Sequence, residues 1–222
     1  MVTFIKQETL QFLNALKQNN NRDWFTENKP LFTNAQDNFK AFVDELIPKI
    51  ALFDTTIEKL EAKNCIFRIY RDTRFSKDKT PYKTNFGAAI SKGKGLASHA
   101  GYYIHLEPDN CFIAGGIYMP EPKNLKAIRQ EISDYSEDFL KIIRNQSLEQ
   151  DLKLDADKLI KVPQGFDKEN PMAEYLKFKH FTVIHYLKNE QILKESFLEY
   201  CSGIFEKMYP FNCFLNRAIQ QL

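Results

Sequence analysis

Apolar residues first recur at helical spacing over residues 6–18, where Phe12, Leu13 and Leu16 share one face. Asn19-Asn20-Asn21 reads as a turn, and Arg22-Asp23-Trp24-Phe25 opens a second, short helix. A longer helix follows Asn28, with Pro30 tolerated in its first turn and Phe32, Phe39, Phe42, Val43, Leu46 and Ile47 turned inward. Near Cys65 the period shortens and strand signals begin. Residues 84–91, 101–107 and 111–118 read as further strands, the last two joined into a hairpin by Pro108-Asp109-Asn110. Gly101, Gly115 and Gly116 interrupt these strands, where glycine marks a bulge or a close backbone approach. Lys92-Gly93-Lys94-Gly95 reads as a flexible basic tip. Beyond Pro120 the helical period returns over 124–132 and 137–144. Val162 to Phe166 is an extended loop, and alternation over 178–187 predicts another strand. A C-terminal helix from Glu190 buries Leu193, Phe197, Cys201, Ile204, Phe205 and Met208; Pro210 is expected to interrupt it before a last amphipathic piece containing Phe211, Phe214, Leu215, Ala218 and Ile219.

Helices, then strands, then helices, with no repeat or linker, predict an α+β fold. A single domain over residues 1–222 is expected, its central antiparallel or mixed sheet flanked by N-terminal and C-terminal helices. A chain of 222 residues is long enough to bury a sizeable core. No apolar run approaches a membrane span, since even Leu46 to Phe53 is broken by Pro48 and Lys49. The first residues lack a basic start followed by an apolar core, so no signal peptide is visible. Cys65, Cys111, Cys201 and Cys213 form no Cys-x-x-Cys pair, and Cys65, Cys111 and Cys213 lie among apolar residues as small hydrophobes do in a reducing compartment. The expected location is cytoplasmic.

Charge changes this picture at one place. From Ile66 to Lys94 there are eight Lys and Arg against two acids, Asp72 and Asp78. That +6 segment sits in a chain of net charge +2, so the remainder sums to −4. Cations gathered in this way invite an anionic partner. Arg68 and Arg71 are flanked by Phe67, Ile69 and Tyr70, so their guanidinium groups are expected to rise from a packed backbone and to grip phosphate or carboxylate bidentately. Asp72 is placed to hold one of those forks. Asp78 and Tyr82 are placed to do the same for Lys79 and Lys83, with Pro81 stiffening the turn. The competing explanation is an ion-pair network of Arg71, Asp72 and Arg74 that pins the loop to the sheet.

The run Phe67-Arg68-Ile69-Tyr70-Arg71-Asp72-Thr73-Arg74-Phe75-Ser76-Lys77-Asp78-Lys79-Thr80-Pro81-Tyr82-Lys83 resembles the DUF2461 family of uncharacterised bacterial and fungal proteins. Two further blocks share the resemblance: Gly101 to Pro108 continuing at Ala114 to Pro120, and, more weakly, Pro163-Gln164-Gly165-Phe166. The resemblance implies a single α+β domain and brings no activity with it, so function is argued from residues.

Sharper motifs fall away. Ser76-Lys77-Asp78-Lys79 matches Ser-x-x-Lys, but the companion Ser-Asp-Asn and Lys-Thr-Gly elements are absent. Gly93-Lys94-Gly95 lacks the register of a phosphate-binding loop. His99 and His105 have no third ligand at a suitable spacing, and His180 and His185 point to opposite strand faces, so neither a metal nor a cofactor is expected. Tyr70, Tyr82, Tyr102, Tyr103 and Tyr118 lie near the cations as base-stacking residues do, although strand aromatics more often pack in a core. The leading expectation is a site for a phosphorylated or carboxylated small ligand formed by Arg68, Arg71, Arg74, Lys79, Tyr82 and Lys83. Turnover is left open, with Asp72, Asp78 or His105 as candidate acid or base. The alternative is a nucleic-acid-binding or protein-interaction module without catalysis. Substrate, pathway and oligomeric state are not legible in the sequence.

Overall fold

The structure, a computed structural model, describes residues 3–93, 95–145, 152–155 and 157–220. Its elements in chain order are α1 Gln7–Gln18, α2 Arg22–Glu27, α3 Lys29–Ala51, α4 Ala62–Cys65, β1 Phe86–Ile90, β2 Gly101–Leu106, β3 Cys111–Ile117, α5 Pro122–Asp134, α6 Ser136–Ile143, β4 Lys153–Asp155, α7 Ala173–Leu176, β5 Phe181–Leu187, α8 Asn189–Ile192 and α9 Phe197–Gln220. The five strands form one antiparallel sheet in the order β1-β2-β3-β5-β4, so the fold is α+β. At one edge, β4 pairs antiparallel with β5, Lys153 opposite Ile184 and Asp155 opposite Thr182. The β2–β3 turn closes with the Asn110 N–H donating to the Glu107 carbonyl at 2.9 Å, and Asp109 takes a φ of 66° there.

The described residues group into two compact units. The first comprises Met1–Ala89, Tyr103–Ile113 and Tyr186–Ser202. Here Asn38 of α3 ties down the start of α1: it accepts from the Lys6 N–H at 3.0 Å and the Thr9 hydroxyl at 2.7 Å, and donates to the Phe4 carbonyl at 2.9 Å. The side chain of Asn21 caps α2 by accepting from the Trp24 N–H. The inward stripe of α3 is Ala35, Phe39, Phe42, Val43, Leu46, Ile47 and Ile50, all buried, with Phe32 only half-buried. The N-terminal helices meet β1 at Phe86, whose ring lies 5.6 Å from Phe39 and 6.3 Å from Phe12.

The second unit comprises Ile90–Tyr102, Ala114–His185 and Gly203–Leu222. Its core joins the C-terminal helix to the strands: the Phe205 ring lies 5.2 Å from Tyr102, Asn212 donates to the Gly101 carbonyl at 3.0 Å, and Asn216 bonds both backbone groups of Ala100. The strand glycines are sites of close approach. A Cβ on Gly101 would lie 2.5 Å from the Ile90 carbonyl oxygen, and one on Gly115 would lie 2.9 Å from Met208.

Three local expectations are corrected. Residues from Cys65 onward do not begin a strand: Cys65 ends α4, and the chain beyond it makes only the isolated bridges Ile66↔Ala88 and Tyr70↔Tyr82 before β1. Pro210 does not interrupt the last helix, which runs unbroken from Phe197 to Gln220. A proline inside a helix costs about 3 kcal/mol, and the stripe Phe205, Met208, Phe211, Phe214, Leu215 and Ala218, buried on both sides of Pro210, offsets it. Among the cysteines, Cys65, Cys111 and Cys201 are buried while Cys213 is exposed. In the basic tip, Lys94 lies outside the described residues. Among the described residues, no helix is long and apolar enough to cross a membrane.

Candidate functional site

The basic segment is an irregular hairpin laid along β1. The Phe67 N–H donates to the Gly87 carbonyl at 2.9 Å, Arg71 to Pro81 at 2.9 Å and Lys83 to Ile69 at 2.8 Å, so both arms are held by backbone bonds. Its fixed point is Tyr82. That ring is 5% exposed and stacks on Phe25 at 4.0 Å with 14° between planes. Asn20 secures the same residue twice, accepting from its N–H at 3.1 Å and donating to its carbonyl at 2.9 Å.

Three of the six cations from Arg68 to Lys83 are used within the hairpin. Arg74 forms a two-pronged pair with Asp72, Nε to Oδ1 at 3.0 Å and NH2 to Oδ2 at 2.7 Å, and both side chains are exposed. Arg71 donates to Asp78 and to the Thr80 hydroxyl. Lys79 donates to the Thr73 carbonyl at 2.9 Å. The two aspartates also shape the loop, Asp72 accepting from the Arg74 N–H and Asp78 from the Thr80 N–H. The Thr80 N–H, then Arg71 and the Thr80 hydroxyl, bring the Asp78 carboxyl down to about 2. Asp72 is lowered as well, by its bonds from Arg74. The pairing thus differs from the expected Arg71–Asp72–Arg74 network: the partners are Arg71–Asp78 and Arg74–Asp72.

Arg68 and Lys83 stand apart from this set. Neither has a carboxylate partner among the described residues. Arg68 is exposed. Lys83 lies half-buried with its ammonium 5.1 Å from the centre of the Phe67 ring, a cation–π contact. Burial, and then the charge of Arg68, lower the proton affinity of Lys83.

Phe67 links this pair of cations to β2, its ring lying 6.1 Å from Tyr103. Along β2, Tyr102, Ile104 and Leu106 are buried, so Tyr103, His105 and the following Glu107 share the opposite, half-buried face. The Tyr103 hydroxyl is 2.9 Å from His105 Nδ1, with the Asn85 amide 3.3 Å from the same nitrogen. On the other side of the ring, Nε2 is 3.5 Å from a Glu107 oxygen, beyond good hydrogen-bond geometry, and is otherwise buried without a partner. Glu107 accepts from the Thr84 hydroxyl at 2.6 Å and from Asn110 at 2.9 Å. The imidazole is clamped by Phe112, stacked at 4.6 Å and 13°. Burial lowers the His105 pKa against the opposing pull of Glu107. Burial also works to raise Glu107, but the bonds from Thr84 and Asn110 and the nearby His105 outweigh it, so the Glu107 pKa is lowered. Burial, with Glu107 adding to it, pushes the Tyr103 phenol up to about 12.

Of the residues named from sequence, the structure brings Arg68 and Lys83 to one place, beside Phe67, and puts His105 on the neighbouring strand face. Arg71, Arg74, Asp72, Asp78 and Lys79 are engaged in holding the hairpin, and Tyr82 anchors it. From sequence, Tyr103 stands out only as a base-stacking residue and Glu107 carries no role, although the i, i+2, i+4 spacing from Tyr103 on a strand is a signal for a shared face. Among the described residues, no group of three or more His, Cys, Asp or Glu side chains is placed to hold a metal ion.

These pairings separate the two aspartates experimentally. Asp72→Asn is expected to leave the melting temperature unchanged within error, because the pair it breaks is exposed. Asp78→Asn is expected to lower it measurably, since half-buried Arg71 loses its charged partner while the amide oxygen can still accept from the Thr80 N–H. The contribution of Asp78 is present above its ordinary carboxylate value of 3.8 and lost as pH falls towards about 2. Thermal melts of the two variants from neutral to acid pH check both expectations; equal shifts would refute the assignment.

A comparison with curated proteins finds no match. A family profile described as conserved hypothetical protein (DUF2461) matches residues 8–214, from α1 into α9. With nearly its whole length matched, the chain belongs to the DUF2461 family.

Proposed function

We propose that this protein binds a phosphorylated or carboxylated small molecule at Arg68 and Lys83, beside Phe67 and the outer face of β2. The observation that supports the reading is Lys83. Its ammonium is half-buried against the Phe67 ring and feels the charge of a second cation, Arg68, while among the described residues Lys83 itself has no carboxylate partner. A desolvated cation beside a like charge is costly, and an anion bridging the two relieves both terms. Arg71–Asp78 and Arg74–Asp72 are the frame, since the ligand would have to displace an existing carboxylate to reach either guanidinium.

Isothermal calorimetry with inorganic phosphate, pyrophosphate and citrate tests this. Lys83→Ala and Arg68→Ala are each expected to weaken binding about tenfold or more, the scale of one charge-assisted hydrogen bond. Arg74→Ala should change it less than about twofold. Absence of binding at millimolar concentrations, or equal losses in all three variants, would reject the site.

One observation favours a second reading, a module for single-stranded nucleic acid. Phe67, Tyr70 and Phe75 are exposed at 43%, 53% and 96%, and each stands next in the chain to an arginine, Arg68, Arg71 and Arg74 respectively. Exposed aromatics interleaved with cations form a stacking platform. Steeply salt-dependent binding of an oligonucleotide that survives Lys83→Ala and is lost in Phe75→Ala would favour that module over the small-molecule site.

A further inference from the structure

We propose that Tyr103, His105 and Glu107 form a nucleophile–base–orienter relay, in which the Tyr103 hydroxyl attacks the phosphorus of a phosphorylated ligand. The choice of ligand rests on the anion site at Arg68 and Lys83; the relay itself stands on its own geometry.

The tautomer of His105 decides the direction of proton flow. Glu107 is an ionised carboxylate and only accepts, so the ring proton belongs on Nε2, the nitrogen facing it at 3.5 Å. Nδ1 is then an acceptor. It faces two groups able to donate, the Tyr103 hydroxyl at 2.9 Å and the Asn85 amide at 3.3 Å. The phenol therefore already points its proton at a neutral base. A hydroxyl on an imidazole, with the far nitrogen aimed at a half-buried carboxylate, is the arrangement that activates a weak nucleophile. The long Nε2–Glu107 separation suits this role, because such a contact tightens as the ring becomes an imidazolium.

The protein keeps this arrangement in place from every side. Thr84 and Asn110 hold Glu107, Phe112 fixes the plane of the imidazole, and Gly87 makes room for the phenol. A Cβ at Gly87 would sit 2.6 Å from the Tyr103 hydroxyl oxygen. The same Phe67 ring borders both groups, 6.1 Å from the Tyr103 ring and 5.1 Å from the Lys83 ammonium, so one side chain joins the relay to the anion site.

The step balances without another reagent. Tyr103 Oη forms a bond to phosphorus, its proton passes to His105 Nδ1, and the bond from phosphorus to the departing oxygen breaks. That oxygen leaves with the proton from Nδ1. Water then attacks the tyrosyl phosphate, giving one proton to Nδ1 and releasing phosphate, and the phenol recovers that proton.

Labelling with phenylmethanesulfonyl fluoride, located by peptide mass spectrometry, reads the relay without knowledge of the natural ligand. Tyr103 Oη bonds to sulfur, fluoride leaves, and the phenol proton goes to His105. Tyr103 is expected to react about a hundredfold faster than the exposed Tyr70, Tyr118 and Tyr135. Because burial holds the His105 pKa below its ordinary value of 6.5, the rate should be at its plateau at neutral pH and fall only as pH drops below 6.5. His105→Gln and Glu107→Gln should each remove most of the excess rate. Gly87→Ala, which pushes the phenol off Nδ1 while keeping every relay member, should do the same with little loss of folding, so an unfolded His105 variant would not leave the question open. Labelling of Tyr103 no faster than the exposed tyrosines, or an excess that persists in His105→Gln and Gly87→Ala, overturns the proposal. Protection by inorganic phosphate in wild type and not in Lys83→Ala supports both sites. His105-dependent labelling without protection supports the relay and tells against the anion site.

Discussion

Gly116→Ala is expected to destabilise the protein by on the order of 4 kcal/mol, combining backbone strain with overpacking. Gly116 has a φ of 115°, a conformation that side-chain-bearing residues rarely adopt. A Cβ there would lie 2.1 Å from the Phe181 carbonyl oxygen and 2.9 Å from the Thr182 Cα. Those are backbone atoms of β5, the strand beside β3, and they cannot rotate away as a side chain would. Relief requires β3 and β5 to part, and the sheet is continuous through that pair. Gly203→Ala is the matched control. Gly203 lies exposed inside α9 with nothing within 4 Å of its would-be Cβ, so alanine there should stabilise by about 0.5–1 kcal/mol through helix propensity alone. Urea denaturation followed by circular dichroism measures both. A Gly116→Ala protein as stable as wild type would mean that β3 and β5 do not approach this closely.

That glycine was legible in sequence for a physical reason, and so were most of the elements. A residue that weakens a strand is retained where a side chain cannot fit, so its occurrence is a local signal of close approach. The apolar periods of α1, α3, α5 and α6 and the alternation in β2 and β5 are also local, because each element carries its own buried face. The hairpin at 66–83 was read as the start of a strand because Phe67, Ile69 and Tyr70 are strand-forming residues. What ends the ladder is further along. Asp72 and Asp78 offer their own carboxylates to nearby N–H groups, and Pro81 has no N–H to donate. The three-residue β4 is too short to show a period, and it becomes a strand only because β5 lies beside it.

The candidate site was less legible, since pairing is a tertiary property. Composition announces six cations between Arg68 and Lys83, and nothing in it says that Asp78 takes Arg71 while Asp72 takes Arg74. Those choices follow from where the hairpin turns. The same holds for His105: alone in sequence it is a half-buried imidazole, and it gains a chemical role only because strand alternation and the β2–β3 turn bring Tyr103 and Glu107 to its two nitrogens.

Tyr82→Ala is expected to cost about 3–4 kcal/mol, the range for removing a buried aromatic ring, and also to weaken phosphate binding. The ring fills the space against Phe25 at 4.0 Å and leans on Tyr70 at 5.4 Å, so its loss opens a cavity under the hairpin. The next residue is Lys83, whose N–H is bonded to the Ile69 carbonyl across the same hairpin. Freeing Tyr82 therefore loosens the backbone that aims the Lys83 ammonium along Phe67 towards the ligand. Tyr82→Phe keeps the ring and loses only the hydroxyl, so both stability and affinity should remain close to wild type. Denaturant titration and phosphate calorimetry on the two variants, beside Lys83→Ala, separate three roles. An anchoring residue loses stability and affinity together on going to alanine and neither on going to phenylalanine. A ligand contact through the phenol would lose affinity in Tyr82→Phe at unchanged stability, which would refute the anchoring role. Undiminished phosphate affinity in a folded Tyr82→Ala protein would show that Lys83 is aimed by its bond to Ile69 rather than by the packing of its neighbour.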